Sequence, residues 1–204
     1  MDFHKQVWKL FEKYLAYVAK RTEGTYWNPV AYHLYNACEA TANSVDAWAV
    51  GVSVAVEAIA SLVILKADKK KAAQIARIQG AMRAWLAKQS FPEDQTKRAE
   101  GLIGVLGEKR PQDVMYALAK TGHVEKTCVK AWQNLRNRHV DPKLRDLKKP
   151  SSKDSQRLIN NIHRAELLLR QLTFLLIGYD GPFTDYGVHG AQEFPTKQYP
   201  LKVT

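Results

Sequence analysis

Apolar residues recur along most of this chain with the period of about 3.6 residues that is typical of amphipathic α-helices. Proline, serine and glycine interrupt the pattern where helices are expected to begin or end, as at Pro29, Ser44 and Gly178. The pattern predicts helices over residues 2–20, 30–42, 45–67, 70–89, 93–107, 111–120 and 154–177, and one more from near Val124 to just before Asp141. Together they predict one all-α domain over residues 1–204, a bundle of about five main helices. Short helices over residues 87–123 are interpreted as an insertion, and the tail over residues 179–204, rich in Gly, Pro and Tyr, is expected to be irregular.

The most apolar stretch, from Ala47 to Leu65, contains a single charged residue, Glu57. A run of about 19 residues is long enough to span a bilayer. However, a carboxylate in the middle of such a run is costly in lipid, and several alanines and serines dilute the hydrophobicity. A buried central helix of a bundle is therefore favoured, and no membrane partner is expected. If Glu57 is buried in that bundle, it needs a partner, and an arginine is a reasonable candidate.

The chain is strongly basic, with a net charge of +11 and a pI near 9.6. This charge indicates a polyanionic partner, either a nucleic acid or an acidic protein surface. Cys38 and Cys128 have no CxxC partner, which favours free thiols in a reducing compartment. The first residues lack the layout of a signal peptide, so a cytoplasmic location is expected. The six histidines show no metal-ligand spacing, and neither a metal nor another cofactor is expected.

The stretch from Trp132 to Pro150 carries the candidate chemistry. It continues a helix whose apolar stripe has the spacing i, i+4, i+8 and i+11, at Val124, Cys128, Trp132 and Leu135. Arg136 and His139 are three residues apart, so they are expected on one face beside that stripe. Pro142 disfavours the α conformation for the residue before it, which predicts that the helix ends at or before Asp141.

The end of this helix and the loop after it form a basic segment. From Arg136 to Lys149 there are six Lys and Arg residues against two Asp, a local net charge of +4. Cations in a last helical turn interact favourably with the helix dipole, so a purely structural role accounts for the cations at the end of this helix. The other interpretation is contact with RNA phosphates. The predicted RNA-binding residues are Arg138, Lys143, Arg145, Lys148 and Lys149.

The order Trp-x-x-Leu-Arg-Asn, followed by a short basic run and a proline, resembles the active-site segment of HEPN domains, in particular the abortive-infection ApeA-like kind. HEPN ribonucleases carry Arg, a polar residue, a few variable residues and then His. The matching positions are Arg136 and Asn137, and Asp141 stands where His is expected. The residues around Glu57 also resemble the HEPN helix that carries an inward-facing Glu. The resemblance spans most of the chain from about Trp27, but only the motif is specific.

The resemblance implies an HEPN-type bundle that forms a homodimer, in which two motifs face each other and build one composite RNA-cleaving site. It implies a metal-independent endoribonuclease of a bacterial anti-phage abortive-infection or toxin system. ApeA-like proteins usually carry a sensing region before the HEPN domain. The chain is therefore interpreted as a stand-alone version or an excised domain, and a sensor domain or regulatory protein is an expected partner.

The residue types of the motif suit RNA cleavage without a metal. The RNA 2′-OH must lose a proton, and the leaving 5′-oxygen must gain one; an imidazole can do either near neutral pH. The guanidinium of Arg136 would stabilise the charge of the phosphorane-like transition state. Asn137 can orient either group through its amide. His139 and Glu57 complete the candidate catalytic set together with Asp141.

Asp141 departs from the family pattern in a way that affects activity. A carboxylate is deprotonated near neutral pH, cannot serve as a general acid there, and repels a phosphate. Three explanations stay open: Asp141 is an engineered inactivating replacement of His, His139 has taken over the catalytic role, or the domain binds without cutting. The alternative function is accordingly a non-catalytic module that binds RNA or protein. Membrane association through the helix over residues 45–67 is a third class.

Overall fold

The computed structural model describes residues 3–20, 27–65, 69–140, 151–185 and 195–200. The fold is an all-α helical bundle with one small two-stranded sheet. The helices are α1 (Phe3–Val18), α2 (Pro29–Thr41), α3 (Val45–Ser61), α4 (Lys69–Leu86), α5 (Glu93–Val105), α6 (Pro111–Lys120), α7 (Lys126–Leu135) and α8 (Ser152–Ile177), and a π-helix, Arg136–Val140, continues α7. Contacts divide the chain into two compact units, Met1–Val63 with Pro111–Thr204 and, separately, Ile64–Arg110.

Several helix ends lie where the sequence predicted them, because the capping side chains make the expected hydrogen bonds. The hydroxyl of Ser44 accepts from the backbone N–H of Ala47 at 3.1 Å at the start of α3. Ser151 and Asp154 form a reciprocal capping box at the start of α8. Gly178 ends α8 in the left-handed conformation, with φ of 67°.

Helix α3 is central to the first unit and packs against α2, α6, α7 and α8. The buried side chains of α3 are Ala49, Val52, Ser53, Ala55, Val56, Ile59 and Ala60. The predicted helix over residues 45–67 is shorter than expected and ends at Ser61. Among the described helices, none is both long enough and apolar enough to cross a membrane. The apolar run is therefore used for packing in the bundle.

The second unit contains α4 and α5. The side-chain amide of Gln79 on α4 donates to the backbone carbonyls of Ile103, at 2.9 Å, and Gly104, at 3.1 Å, on α5. The sequence placed an insertion at residues 87–123, whereas the separate unit is Ile64–Arg110. Helix α6 belongs to the first unit because Val114, Met115 and Leu118 are buried and the helix packs on α3.

The tail was predicted to be irregular, which is wrong for a part of it. Strand β1 (Pro182–Thr184) pairs antiparallel with β2 (Thr196–Gln198), with Phe183 opposite Lys197. The Lys197 ammonium lies 2.7 Å from Glu125 and 2.6 Å from the buried Asp185, and so links β2 to the residue before α7. Burial lowers the pKa of Lys197, but these two carboxylates outweigh it and raise the pKa overall. Such pairing depends on distant residues and leaves no periodic signal in a short strand.

Candidate functional site

The predicted apolar stripe of α7 is confirmed. Val124, Cys128, Trp132 and Leu135 are all buried, with at most 3% of each residue exposed. The indole Nε1 of Trp132 donates to the backbone carbonyl of Ser53 at 3.0 Å. This buried hydrogen bond contributes about 1 kcal/mol and fixes α7 against the middle of α3. Because α7 is held in this way, the residues after Leu135 are directed along α3.

The last turn is a π-helix, Arg136–Val140, and not the α-helical turn that the sequence predicted. The i→i+5 hydrogen bonds of a π-helix widen the turn, and such segments are frequent at functional sites. The wider turn changes the relation between Arg136 and His139, which α-helical spacing placed on one face. Both side chains contact α3, but the acidic residues that they reach, Glu57 and Asp46, are eleven positions apart. Eleven residues correspond to about 16 Å along a helix.

The pairing of Glu57 with an arginine of the motif is confirmed. The Nε of Arg136 donates to Oε2 of Glu57 at 3.0 Å. The two side chains are 34% and 37% exposed, so the pair lies at the surface and not in the core. At this exposure an ion pair contributes at most about 1 kcal/mol to the free energy of unfolding. The main consequence of the pair is that it orients the side chain of Arg136, because a guanidinium that is hydrogen-bonded at Nε is fixed in plane and direction.

His139 is held by a carboxylate that the sequence analysis did not identify. Its Nδ1 lies 3.3 Å from Oδ1 of Asp46 at the first turn of α3, and only 10% of the imidazole side chain is exposed. The Nε2 atom is buried and has no hydrogen-bond partner within the described ranges. Burial lowers the pKa of His139; Asp46 opposes this shift and Arg138 adds to it. The ring is therefore neutral near pH 7, but in this conformation its second nitrogen is not accessible to a substrate. Asp46 could have been found in the sequence, since it lies about three helical turns before Glu57 on the same face of α3.

The lowered pKa of His139 predicts a pH dependence of stability. The pKa is lower in the folded state than the ordinary value of 6.5 in the unfolded chain, so the unfolded chain binds more protons between these two values. The contribution of His139 is therefore fully present above pH 6.5 and is lost as the pH falls through the folded pKa. In urea unfolding, the stability difference between the wild type and His139→Gln should shrink from about pH 7 to about pH 5. A stability difference between the two proteins that does not change with pH would mean that His139 has the same pKa in the folded and unfolded states.

The other predicted site residues divide into two groups. Asn137 and Arg138 are exposed on the outer side of the π-helix. Asp141 and the loop residues Lys143, Arg145, Lys148 and Lys149 lie outside the described residues. The structure thus brings Glu57 and Arg136 together and places His139 beside Asp46. Asn137 and Arg138 are surface residues.

A polar cluster between α3 and α8 was also missed. The Nε1 of Trp48 donates to Oε1 of Glu166 at 2.9 Å, and Nδ1 of His163 lies 3.5 Å from Oε2 of the same carboxylate. The rings of Trp48 and His163 meet edge to face, with centroids 5.3 Å apart. The local sequence does not signal this cluster, because Trp48 is more than a hundred residues from His163 and Glu166 along the chain.

An exposed apolar strip runs along α3 next to the Arg136–Glu57 pair. Val50 is 36% exposed and Val54 is 47% exposed. They precede Glu57 by seven and three residues, so all three lie on the same side of the helix. Val50 and Val54 thus form a small apolar patch beside the ion pair.

In the described part of the chain, Arg136 and Glu57 are partly exposed at the surface. A cavity of about 590 Å³ lies between α1, α8 and the β-hairpin, but it is lined by residues such as Leu10, Phe174 and Phe183 and by none of the predicted site residues. No group of three or more His, Cys, Asp and Glu side chains in the described part of the chain is arranged to hold a metal. An open surface with cationic groups suits a polymer better than a small molecule.

No known family model, curated protein or solved structure matches this chain. The resemblance to HEPN domains therefore stays a prediction from the motif residues, and Glu57, expected to face inward, is 37% exposed.

Proposed function

We propose that this protein is a metal-independent endoribonuclease of the HEPN type that acts as a two-fold dimer. The observation that carries the proposal is the ion pair between Arg136 and Glu57 at 3.0 Å, partly exposed at the end of α7. The exposed strip of Val50 and Val54 beside it supports a dimer in which two such pairs approach each other. The setting implied by the resemblance is anti-phage abortive infection or a toxin system.

In this proposal each residue has a physical role in the reaction. Glu57 orients the guanidinium of Arg136, which binds the scissile phosphate and stabilises the negative charge of the transition state. Asn137 and Arg138, exposed on the same turn, bind neighbouring parts of the RNA strand. Proton transfer to and from the RNA requires an imidazole. His139 can supply it only after it leaves Asp46, since its Nε2 is buried.

The burial of His139 favours a second candidate function, a module that binds RNA or protein without cutting. With Nε2 buried and Nδ1 held by Asp46, the only imidazole of the motif is not positioned as an acid or base. Asp141, at the position where the family has His, is a carboxylate that cannot donate a proton near pH 7. In this alternative, Arg136 and the basic loop bind phosphate groups only.

Arg136→Lys tests the proposal, because lysine keeps the positive charge but lacks the planar fork of arginine. With single-stranded RNA in the presence of EDTA, the wild type is expected to cut and the variant to lose at least about 100-fold in rate. Binding of the same RNA, measured by fluorescence anisotropy, should change much less. Lys88→Arg, an exposed exchange of one cation for another in the second unit, is the control and should leave the cleavage rate unchanged to within about twofold. Equal cleavage by wild type and Arg136→Lys would exclude Arg136 from the reaction, and cleavage that EDTA abolishes would exclude the metal-independent mechanism.

A further inference from the structure

A row of exposed cations continues from the candidate site along the outer face of α7. Lys126, Lys130, Asn134 and Arg138 follow each other at intervals of four residues, and all four are exposed. An interval of four residues on a helix corresponds to about 6 Å, so the row is about 18 Å long. The buried residues of α7, such as Trp132 and Leu135, lie on the opposite side. The wider turn of the π-helix keeps Arg138 on the side of Asn134.

Helix α8 adds a second row beside the first. Arg157 and Arg164 are exposed on α8, which packs closely on α7. Arg157 and Arg138 both act on the carboxylate of Asp154 and help to lower its pKa, after the larger effect of its hydrogen bonds with Ser151. They therefore lie close together on one surface. We name the five residues Lys126, Lys130, Arg138, Arg157 and Arg164 the basic track.

Carboxylates near the basic track are engaged by other groups. In Glu125–Val140 and Ser151–Ile177 there are three acidic residues, Glu125, Asp154 and Glu166. Glu125 contacts Lys197, Asp154 accepts hydrogen bonds from Ser151, and Glu166 accepts one from Trp48. No ion pair joins a cation of the track to a carboxylate in the described ranges of the chain. The cations of the track are consequently available for a ligand, and Asp154 is the carboxylate that lies near Arg138 and Arg157.

We propose that the basic track binds the phosphate backbone of a single RNA strand and guides it to the Arg136 end of α7. Lys126 and Lys130 are about 6 Å apart along the helix and Arg138 follows about 12 Å further on, so these cations can contact several phosphates of one extended strand. The amide of Asn134 stands in the same row, and the exposed Asn137 is next to Arg138 in the chain; both amides can bond to sugar or base edges. No large apolar side chain is exposed from Lys126 to Arg138, so the surface lacks the anchors of a protein interface or a membrane-binding helix. Because no aromatic side chain is exposed there for base stacking, binding should be nearly independent of base sequence.

This inference rests on the proposed function, since it names how the RNA of that site is held. Each phosphate contact to a single strand contributes about −0.7 to the slope of log K against log salt, so the five track residues should contribute about −3.5 for each protomer, in addition to Arg136 and the loop cations. The variant Lys126→Gln/Lys130→Gln/Arg164→Gln removes three of these contacts and should reduce the slope by about 2. Glutamine has a similar helix propensity, so the helices should stay intact.

The measurement is anisotropy titration of fluorescent oligouridine and oligoadenosine over a series of KCl concentrations with the full chain. The matched control is Lys88→Gln/Lys97→Gln/Arg98→Gln, which removes the same charge from exposed positions of the second unit. The control should keep the slope of the wild type. A third variant reverses the charge at Lys143, Arg145, Lys148 and Lys149 in the loop after the motif.

The possible outcomes test the basic track and the proposed function separately. A reduced slope in the track variant alone, or in both the track and loop variants, supports the track. Loss of binding in the loop variant with no change in the track variant overturns the track and leaves RNA as the ligand. An equal loss in the control means that binding follows net charge and overturns the track as well. If the wild type binds no RNA, both the track and the proposed function are wrong.

Discussion

Asp141→His is expected to create, or to increase by at least about 100-fold, a metal-independent ribonuclease activity. The reason is that an imidazole exchanges protons near pH 7, whereas the carboxylate of Asp141 is already deprotonated and repels the phosphate. Products should end in a 2′,3′-cyclic phosphate, since the attacking group is the 2′-OH of the RNA. DNA lacks this hydroxyl and should survive. The measurement is cleavage of labelled single-stranded RNA in EDTA, with the ends identified by mass spectrometry.

Two further variants separate the contributions to this gain. Asp141→Asn removes the charge without adding an imidazole, so it should relieve repulsion and improve RNA binding while cleavage stays low. In the Asp141→His background, Arg136→Lys should return the rate to the level of the wild type, because the guanidinium acts in the same step. His139→Ala in the wild-type background shows whether His139 supplies any activity already present. Should Asp141→His remain inert towards total cellular RNA as a folded dimer, the nuclease is excluded and the binding module remains.

The hydrophobic pattern predicted most of the helices because each helix has its own local signals. Ser44, Ser151 and Gly178 cap helices through contacts within a few residues, and these contacts are visible in the sequence. The pairing of Glu57 with Arg136 was also predicted, but from the burial of Glu57, whereas Glu57 is 37% exposed in the structure. The motif contains only a few cations, so few residues were candidates for the partner of Glu57.

The remaining features depend on contacts that the local sequence does not specify. The π-helix at Arg136–Val140 differs from an α-helix in hydrogen bonding alone, and no residue pattern distinguishes the two. Helix periodicity places Asp46 on the same face of α3 as Glu57, but the contact of Asp46 with His139 depends on how the end of α7 packs on α3. The basic track requires α7 and α8 to be neighbours, and the short strands β1 and β2 are linked to the bundle by Lys197 contacts with Glu125 and Asp185.

Val54→Asp is expected to convert a dimer into a monomer and, in the Asp141→His background, to abolish cleavage. Val54 is 47% exposed, so in a free protomer the substitution should change the free energy of unfolding by no more than about 0.5 kcal/mol. In a two-fold interface beside Glu57, it would bury an uncompensated carboxylate from each protomer. A cost of about 3 kcal/mol would weaken dimerisation by more than 100-fold. Sedimentation should then give a mass near that of one chain, 23.1 kDa.

Val105→Asp is the matched control for this prediction, because Val105 has a similar exposure of 51% and lies on α5 in the second unit. It should leave both the dimer and the cleavage rate unchanged. Since Val54 lies three residues before Glu57, a direct effect on Arg136 must be separated from loss of the dimer. Val54→Lys, which places a cation where Val54→Asp places an anion, should also disrupt the dimer. Mixing V54D with V54K protomers should restore both association and cleavage by pairing opposite charges across the two-fold axis. A wild-type protein that is already monomeric at micromolar concentration, or a Val54→Asp variant that cuts RNA as a monomer, would remove the composite site from the mechanism.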